Sequence, residues 1–320
     1  MKTDKKTLLN LLCNYGLLIA LLLIIAAASV FSKEFFTVAN MLNILRQSTV
    51  VGIMAIGVTV VIIAGHIDLS IGSTVSLAGI IAILLINNTG NDWWAMTASV
   101  LAGALVGLVN GAIIAGIKGR TCDSFIITFG MQTVVAAVAL IYSGGNFLTG
   151  RGRGVHSLIG KGYVPILIFL GLAVLLELIM KKTPFGRCVY FMGANPKAAK
   201  MSGVSVRRNT ALLFVIAGVC ASLAAVVMCS RVSAASPTSG KGYELDAIAA
   251  VVVGGTSMQG GKGGILRTLL GVVVIGVLGN ALNILNITTY PQMFIRGVII
   301  IAAVLLDVLG SKLSSGVVSK

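Results

Sequence analysis

Charge is scarce in this 320-residue sequence, and acidic charge scarcer still. Asp, Glu, Lys and Arg make up 10% of the chain, with 9 acids against 24 bases. A soluble domain carries about 25% charged residues, so a soluble enzyme or soluble binding module is excluded. Five prolines beside 39 glycines exclude a collagen-like repeat, and 57% hydrophobic residues exclude disorder. The five cysteines (Cys13, Cys122, Cys188, Cys220, Cys229) form no C-x-x-C pair and have no His at metal-ligand spacing. They read as small apolar fillers. His66 and His156, the only two histidines, suggest neither a relay nor a metal.

What is present is apolar sequence in long runs, with a mean hydropathy of +1.02. Ten apolar segments lie near 8–31, 41–64, 71–87, 93–117, 124–142, 163–180, 210–229, 246–257, 266–287 and 292–310. About 20 residues cross the hydrocarbon core as a helix, so the eighth segment is too short to cross alone. The first exceeds the h-region of a signal peptide and is expected to be retained as a span. The separators are short, as in Asn87-Asn88-Thr89-Gly90-Asn91-Asp92, and leave no room for a soluble domain. The expectation is an all-α transmembrane protein, residues 1–320 forming one integral domain with about ten spans.

The net charge of +15 would point to nucleic acid in a soluble protein. Here the bases sort by side. With the N-terminus inside, 16 fall on the cytoplasmic side and 8 on the outer side, which places both termini in the cytoplasm. The basic 143–162 loop runs against this trend. Two interruptions correspond: Gly65-His66-Ile67-Asp68-Leu69-Ser70-Ile71-Gly72-Ser73, and Gly240-Lys241-Gly242-Tyr243-Glu244-Leu245-Asp246. One falls at the inner face and the other at the outer, as inverted repeat halves require.

The longest cytoplasmic loop, 181–209, holds seven bases and no acid. Asn195 suits an N-cap, Pro196 the first helical position, and Gly203 the residue past the end, with Lys197, Ala198, Ala199, Lys200, Met201 and Ser202 between. Two turns do not persist alone in water, so this helix is expected to dock on something. The competing reading is a basic loop that enforces topology and touches anionic lipid.

Asp68, Glu244 and Asp246 are the acids nearest the membrane; each precedes a helix, where capping competes with a gating or functional role. Gly103, Gly107 and Gly111 permit close helix contact, more simply within the subunit than between two subunits. Asn110, Asn280 and Asn283 are uncharged amides that suit the hydroxyls of a passing polar solute, although helix–helix hydrogen bonds use the same groups. Trp93 and Trp94 read as interfacial belt residues. A Walker A loop is missing; Gly260-Gly261-Lys262-Gly263 lacks the leading Gly and the final Ser/Thr, so no stretch of this chain reads as a P-loop.

Three stretches carry a resemblance. Phe185-Gly186-Arg187, Gly193-Ala194-Asn195, Ala198-Ala199 and Ser202-Gly203-Val204-Ser205-Val206 resemble the coupling loop of ribose-type ABC transporter permeases. The 65–73 stretch continues the match, and Gly242-Tyr243-Glu244-Leu245-Asp246-Ala247-Ile248-Ala249-Ala250-Val251-Val252-Val253-Gly254-Gly255-Thr256-Ser257 with Gly260-Gly261-Lys262-Gly263 completes it in order. The resemblance implies an inner-membrane permease subunit of a bacterial monosaccharide importer. It implies a second permease subunit, ABC ATPase subunits that hold the ATP and Mg, and a periplasmic or extracellular sugar-binding protein. No cofactor is expected in this chain. Residues 195–203 would be the ATPase-coupling helix; Pro196-Lys197 stands where family members often carry an acid. The alternative is a stand-alone ion- or proton-coupled transporter, which needs a mid-membrane charged relay that the acid positions do not supply.

Overall fold

The structure, a computed structural model, describes residues 34–150 and 155–315 together with Ile25, Ala26 and Ser29, with backbone alone at 155, 289, 303 and 306–315. The expected first span, 8–31, therefore lies almost wholly outside the described residues.

Every expected apolar segment from 41 onward coincides with a helix. In chain order these are α1 Val38–Ile63, α2 Ile71–Thr89, α3 Asp92–Ile117 and α4 Thr121–Ser143. After strand β1 (Leu148–Thr149) come α5 Val155–Ile159, α6 Val164–Lys182, α7 Pro184–Ala194, α8 Pro196–Met201 and α9 Val206–Val232. Strand β2 (Ala234–Ala235) precedes α10 Tyr243–Val253, α11 Ile265–Ile284 and α12 Thr289–Ser315. Seven of them (α1, α2, α3, α4, α6, α9 and α11) are long and apolar enough to cross a membrane. At 11 residues, α10 is the short helix that the sequence led us to expect, although it begins and ends a few residues earlier than 246–257.

Burial separates a centre from a periphery. In α1, 83% of the most apolar stretch is buried, against 22% in α4 and in α6. The outer helices turn Leu101, Leu105, Phe125, Phe129, Leu167 and Leu170 away from the protein, which is tolerable only against hydrocarbon. The central α1 packs against α2-facing α9, α10 and α11 through Ile53, Ile56, Val60 and Ile63, all essentially unexposed.

Close backbone approach assembles this centre. Gly103, Gly107 and Gly111 put α3 directly on α9: a Cβ at Gly107 would strike the Phe214 carbonyl, and one at Gly111 would sit 2.7 Å from the Ala211 Cα. The glycine stripe thus serves packing inside the subunit. The two short strands pair antiparallel, Leu148 with Ala235 and Thr149 with Ala234, and tie the far ends of α4 and α9 together.

Candidate functional site

The chain leaves helical form at 64–70 and again at 236–242, and both interruptions are held by side chains from neighbouring helices. Non-helical backbone at membrane depth requires this, because lipid offers no hydrogen bonds. For the first, α4 supplies a row of hydroxyls. Ser124 Oγ accepts from the Ile67 amide at 3.1 Å, Thr128 Oγ1 accepts from the Leu69 amide at 3.1 Å, and Thr121 Oγ1 donates to the Gly65 carbonyl at 2.6 Å. These residues stand at i, i+3 and i+7, one face of α4. The extended segment 65–69 accordingly climbs along α4 before α2 begins.

The second interruption meets the first. The Gly240 amide donates to Ser76 Oγ at 2.9 Å, and a Cβ at Gly72 would lie 2.7 Å from the Gly240 carbonyl. The N-termini of α2 and α10 therefore cross where two glycine backbones touch. From this crossing the helices diverge: α2 ends beside Thr149, whose carbonyl accepts from Asn87, while α10 ends near the C-terminus of α1.

Polar side chains gather at the crossing. Asp68 Oδ1 accepts from the Ser70 amide at 2.9 Å and from Ser70 Oγ at 2.7 Å, forming a turn before α2 rather than capping its free amides. Asn110 Nδ2 donates to Ser70 Oγ at 2.8 Å, and its fully buried Oδ1 has no partner. Glu244 accepts from the Gly242 amide at 3.0 Å, closing the start of α10, and from Gln132 Nε2 at 3.2 Å. Asp246, only 5% exposed, is held by Arg296 of α12 at 2.6 Å.

The three amides are not brought together. Asn280 exchanges two hydrogen bonds with Asn40, 3.0 and 2.8 Å, a helix–helix link between α11 and α1. Asn283 accepts from Gln292 at 2.9 Å. Both lie apart from Asn110.

At the end of the molecule away from the paired strands, α7 and α8 make an elbow outside the apolar helices. Asn195 Oδ1 accepts from the Ala198 amide at 3.0 Å and Pro196 opens α8. Gly203 (φ +82°) closes it: its amide donates to Lys200 O and the Val204 amide to Ala199 O, the paired bonds of a Schellman ending. Ala199 faces inward with no exposure, whereas Met201 is 89% exposed. Lys197 and Lys200 also point out to solvent.

The elbow rests on the first interruption and on the loop that follows α10. A Cβ at Gly193 would collide with the Ile63 carbonyl and come within 2.5 Å of the Gly261 amide. A Cβ at Gly260 would be 3.0 Å from both Gly193 O and Gly65 Cα. The Gly261 amide donates to Ile63 O at 2.8 Å, and the Tyr190 hydroxyl to Gly263 O at 3.0 Å. Three stretches far apart in sequence (65–73, 193–203 and 254–264) thus form one backbone junction. Sequence reading named all three and missed their contact. It also missed the α4 hydroxyls, whose signal was Thr121, Ser124 and Thr128 on one face of an otherwise apolar helix. No group of three or more His, Cys, Asp or Glu that could hold a metal occurs among the described residues.

Comparison with known proteins gives a consistent picture. A family model described as branched-chain amino acid transport system / permease component matches residues 40–304. The ribose import permease protein RbsC of Haemophilus influenzae is 41% identical over 303 residues, covering 92% of this chain and 93% of that protein. The protein of the same name in Bacillus subtilis is 39% identical, covering 91% and 92%. The D-allose transport system permease protein AlsC of Escherichia coli is 36% identical, covering 93% of each. No solved structure gives a significant match.

Proposed function

Because this multi-pass membrane chain belongs to the permease family matched over residues 40–304, a transport component and not an enzyme, we propose that it is the permease subunit of an ATP-driven bacterial importer of a ribose-like monosaccharide. The carrying observation is the junction in which Gly193, just before α8, lies on Ile63 and Gly261. It gives an external helix a rigid route to the first interruption and to the 254–264 loop. The names of the relatives, a ribose import permease and a D-allose transport system permease, favour a neutral sugar as the solute.

In this reading residues 1–320 are one integral domain of about ten spans with inverted halves and both termini in the cytoplasm. The basic 181–209 loop then faces the cytoplasm, in keeping with the excess of Lys and Arg on that side. The coupling residues are Asn195, Pro196, Lys197, Ala198, Ala199, Lys200, Ser202 and Gly203. Exposed Met201 offers an apolar knob flanked by two lysines, a surface suited to an acidic groove on an ATPase subunit. That subunit would carry the ATP and Mg.

Motion of α8 would pass through Gly193 to the end of α1 and to the 254–264 loop, and from there to the crossing at Gly72 and Gly240. Asp68, Glu244 and Asp246 sit at the helix starts that such a motion shifts. Asn110, with an unpartnered Oδ1 at this level, is the amide placed to meet a passing hydroxyl, and Asn280 and Asn283 serve a second level of the path. A second permease subunit would complete the path, and a sugar-binding protein would deliver the solute. Selectivity then rests with the delivery protein, because aromatic stacking platforms are few (6% aromatic residues).

Reconstitution tests the assignment. Liposomes holding the permease with its ATPase and binding protein should accumulate labelled ribose only when ATP is enclosed with the ATPase. Uptake by the permease alone under an ion gradient would instead establish a stand-alone secondary transporter and overturn the reading.

A further inference from the structure

The elbow end of the molecule carries a basic cleft that runs from the two coupling lysines to four further bases to which the transport reading gives no role. An open cleft of about 1040 Å³ lies between α8, the turn joining α3 to α4, and the start of α9. Lys118, Arg120, Lys197, Lys200, Arg207 and Arg208 line it, and no Asp or Glu does. All six bases are exposed, and none is in an ion pair among the described residues. The nearby Asp123 is turned to the Arg120 amide, at 2.8 Å.

A helix start points into the same space. The 27-residue α9 opens on the cleft at Ser205, which makes no side-chain cap, and its first turn has no acid. Arg207 and Arg208 occupy that turn instead, at the positive end of the helix dipole, where an anion is favoured and a cation is not. His66 closes the inner end of the cleft wall at 7% exposure.

We infer that this cleft is a binding site for a phosphate ester, held by the guanidinium groups of Arg120, Arg207 and Arg208, the free amides at the start of α9, and the lysines at the rim. A phosphate matches this set better than a carboxylate, because it spreads double charge over several acceptor oxygens and takes bidentate arginine contacts. Free amides at a helix start supply the remaining donors. The volume suits a sugar phosphate or a lipid headgroup, and basic pockets beside membrane helices hold anionic headgroups by the same chemistry. The inference goes beyond the transport reading, since it holds for any solute. It also gives the elbow a ligand whose occupancy is sensed at α8.

Two arms distinguish the sources. In the first, the purified full chain in phosphatidylcholine nanodiscs is titrated with inorganic phosphate and with glucose 6-phosphate while its thermal midpoint is followed, because a ligand that binds the folded state raises that midpoint. In the second, native mass spectrometry counts phosphatidylglycerol retained from mixed nanodiscs. Saturable binding in the first arm assigns a soluble phosphate ester, and retained phosphatidylglycerol in the second assigns a headgroup. In whichever arm responds, Arg120→Gln with Arg207→Gln should weaken binding about tenfold or more, about 1.4 kcal/mol. Lys161→Gln with Lys241→Gln, exposed bases off the cleft, should leave it unchanged. No binding in either arm, or equal loss in both double variants, overturns the inference. Neither arm contains a transported sugar or an ATPase, so such a failure leaves the importer reading standing.

Discussion

The backbone amide of Gly261 donates to the carbonyl of Ile63 at 2.8 Å, so the loop after α10 finishes the C-terminus of α1. Gly193 sits on this bond from the elbow side, close enough that no side chain fits. One hydrogen bond and one glycine therefore join an external helix to the membrane-embedded centre.

A valine at Gly193 should break that join. Overpacking of this kind costs about 1–3 kcal/mol, and the strain falls on backbone atoms of Ile63 and Gly261 rather than on a movable side chain. Gly193→Val is expected to lower the thermal midpoint in detergent and to abolish uptake. Gly116→Ala, with nothing within 4 Å of the added carbon, should do neither.

The hydroxyl row on α4 gives a second expectation. Thr128→Val leaves the buried Leu69 amide without its acceptor, and Ser124→Ala does the same to the half-buried Ile67 amide, at the lower end of the cost. An orphaned buried amide costs about 1–3 kcal/mol. Each variant should be destabilised by that amount in denaturant titration. Phe129→Leu, on the outward face of the same helix, should change stability little.

These two sets of residues show what could be read from sequence and what could not. Span positions follow from runs of apolar residues, and the ends of α8 follow from Asn195, Pro196 and Gly203, because caps are local chemistry. The junction is different. Nothing near Gly193 indicates Ile63 or Gly261 as neighbours, since that contact arises only when helices far apart in sequence pack. Arg296 shows the same limit: along the chain it is one more base near a span end, and only the fold brings it to Asp246. The amides divide likewise, with Asn280 spent on Asn40 while Asn110 keeps an unpartnered oxygen.

Arg296 and Asp246 should behave as a unit. Removing Arg296, itself half-buried, strands the buried Asp246 charge, at a cost that approaches the roughly 3–5 kcal/mol of a fully buried pair. Arg296→Met alone is expected to be strongly destabilising, and Asp246→Asn added to it should restore much of the loss. A double-mutant cycle on thermal or denaturant unfolding reads the coupling directly. Additive effects would show that the pair is not formed.

Acid should loosen the end that carries the strands through His156. Its ring is fully buried on α5 with both nitrogens unpartnered, and burial holds its pKa below the usual histidine range, partly opposed by Asp92. The unfolded chain binds the proton first, so this contribution is complete above the ordinary pKa of 6.5 and declines as pH falls below it toward the lowered folded value. The thermal midpoint of the wild-type chain should drop more steeply over that interval than that of His156→Leu. Parallel curves would contradict the assignment.

The central claim is that α8 is where an ATPase subunit takes hold. Lys197, Lys200 and Met201 point away from the protein while Ala199 anchors the helix to it, so reversing the outward charges leaves the fold intact. The decisive measurement is co-purification of the ATPase with the Lys197→Glu, Lys200→Glu double variant, together with binding-protein-stimulated ATP hydrolysis. The account predicts association weakened about tenfold or more and stimulation lost, with an unchanged thermal midpoint for the permease itself. Full co-purification with undiminished stimulation would contradict it.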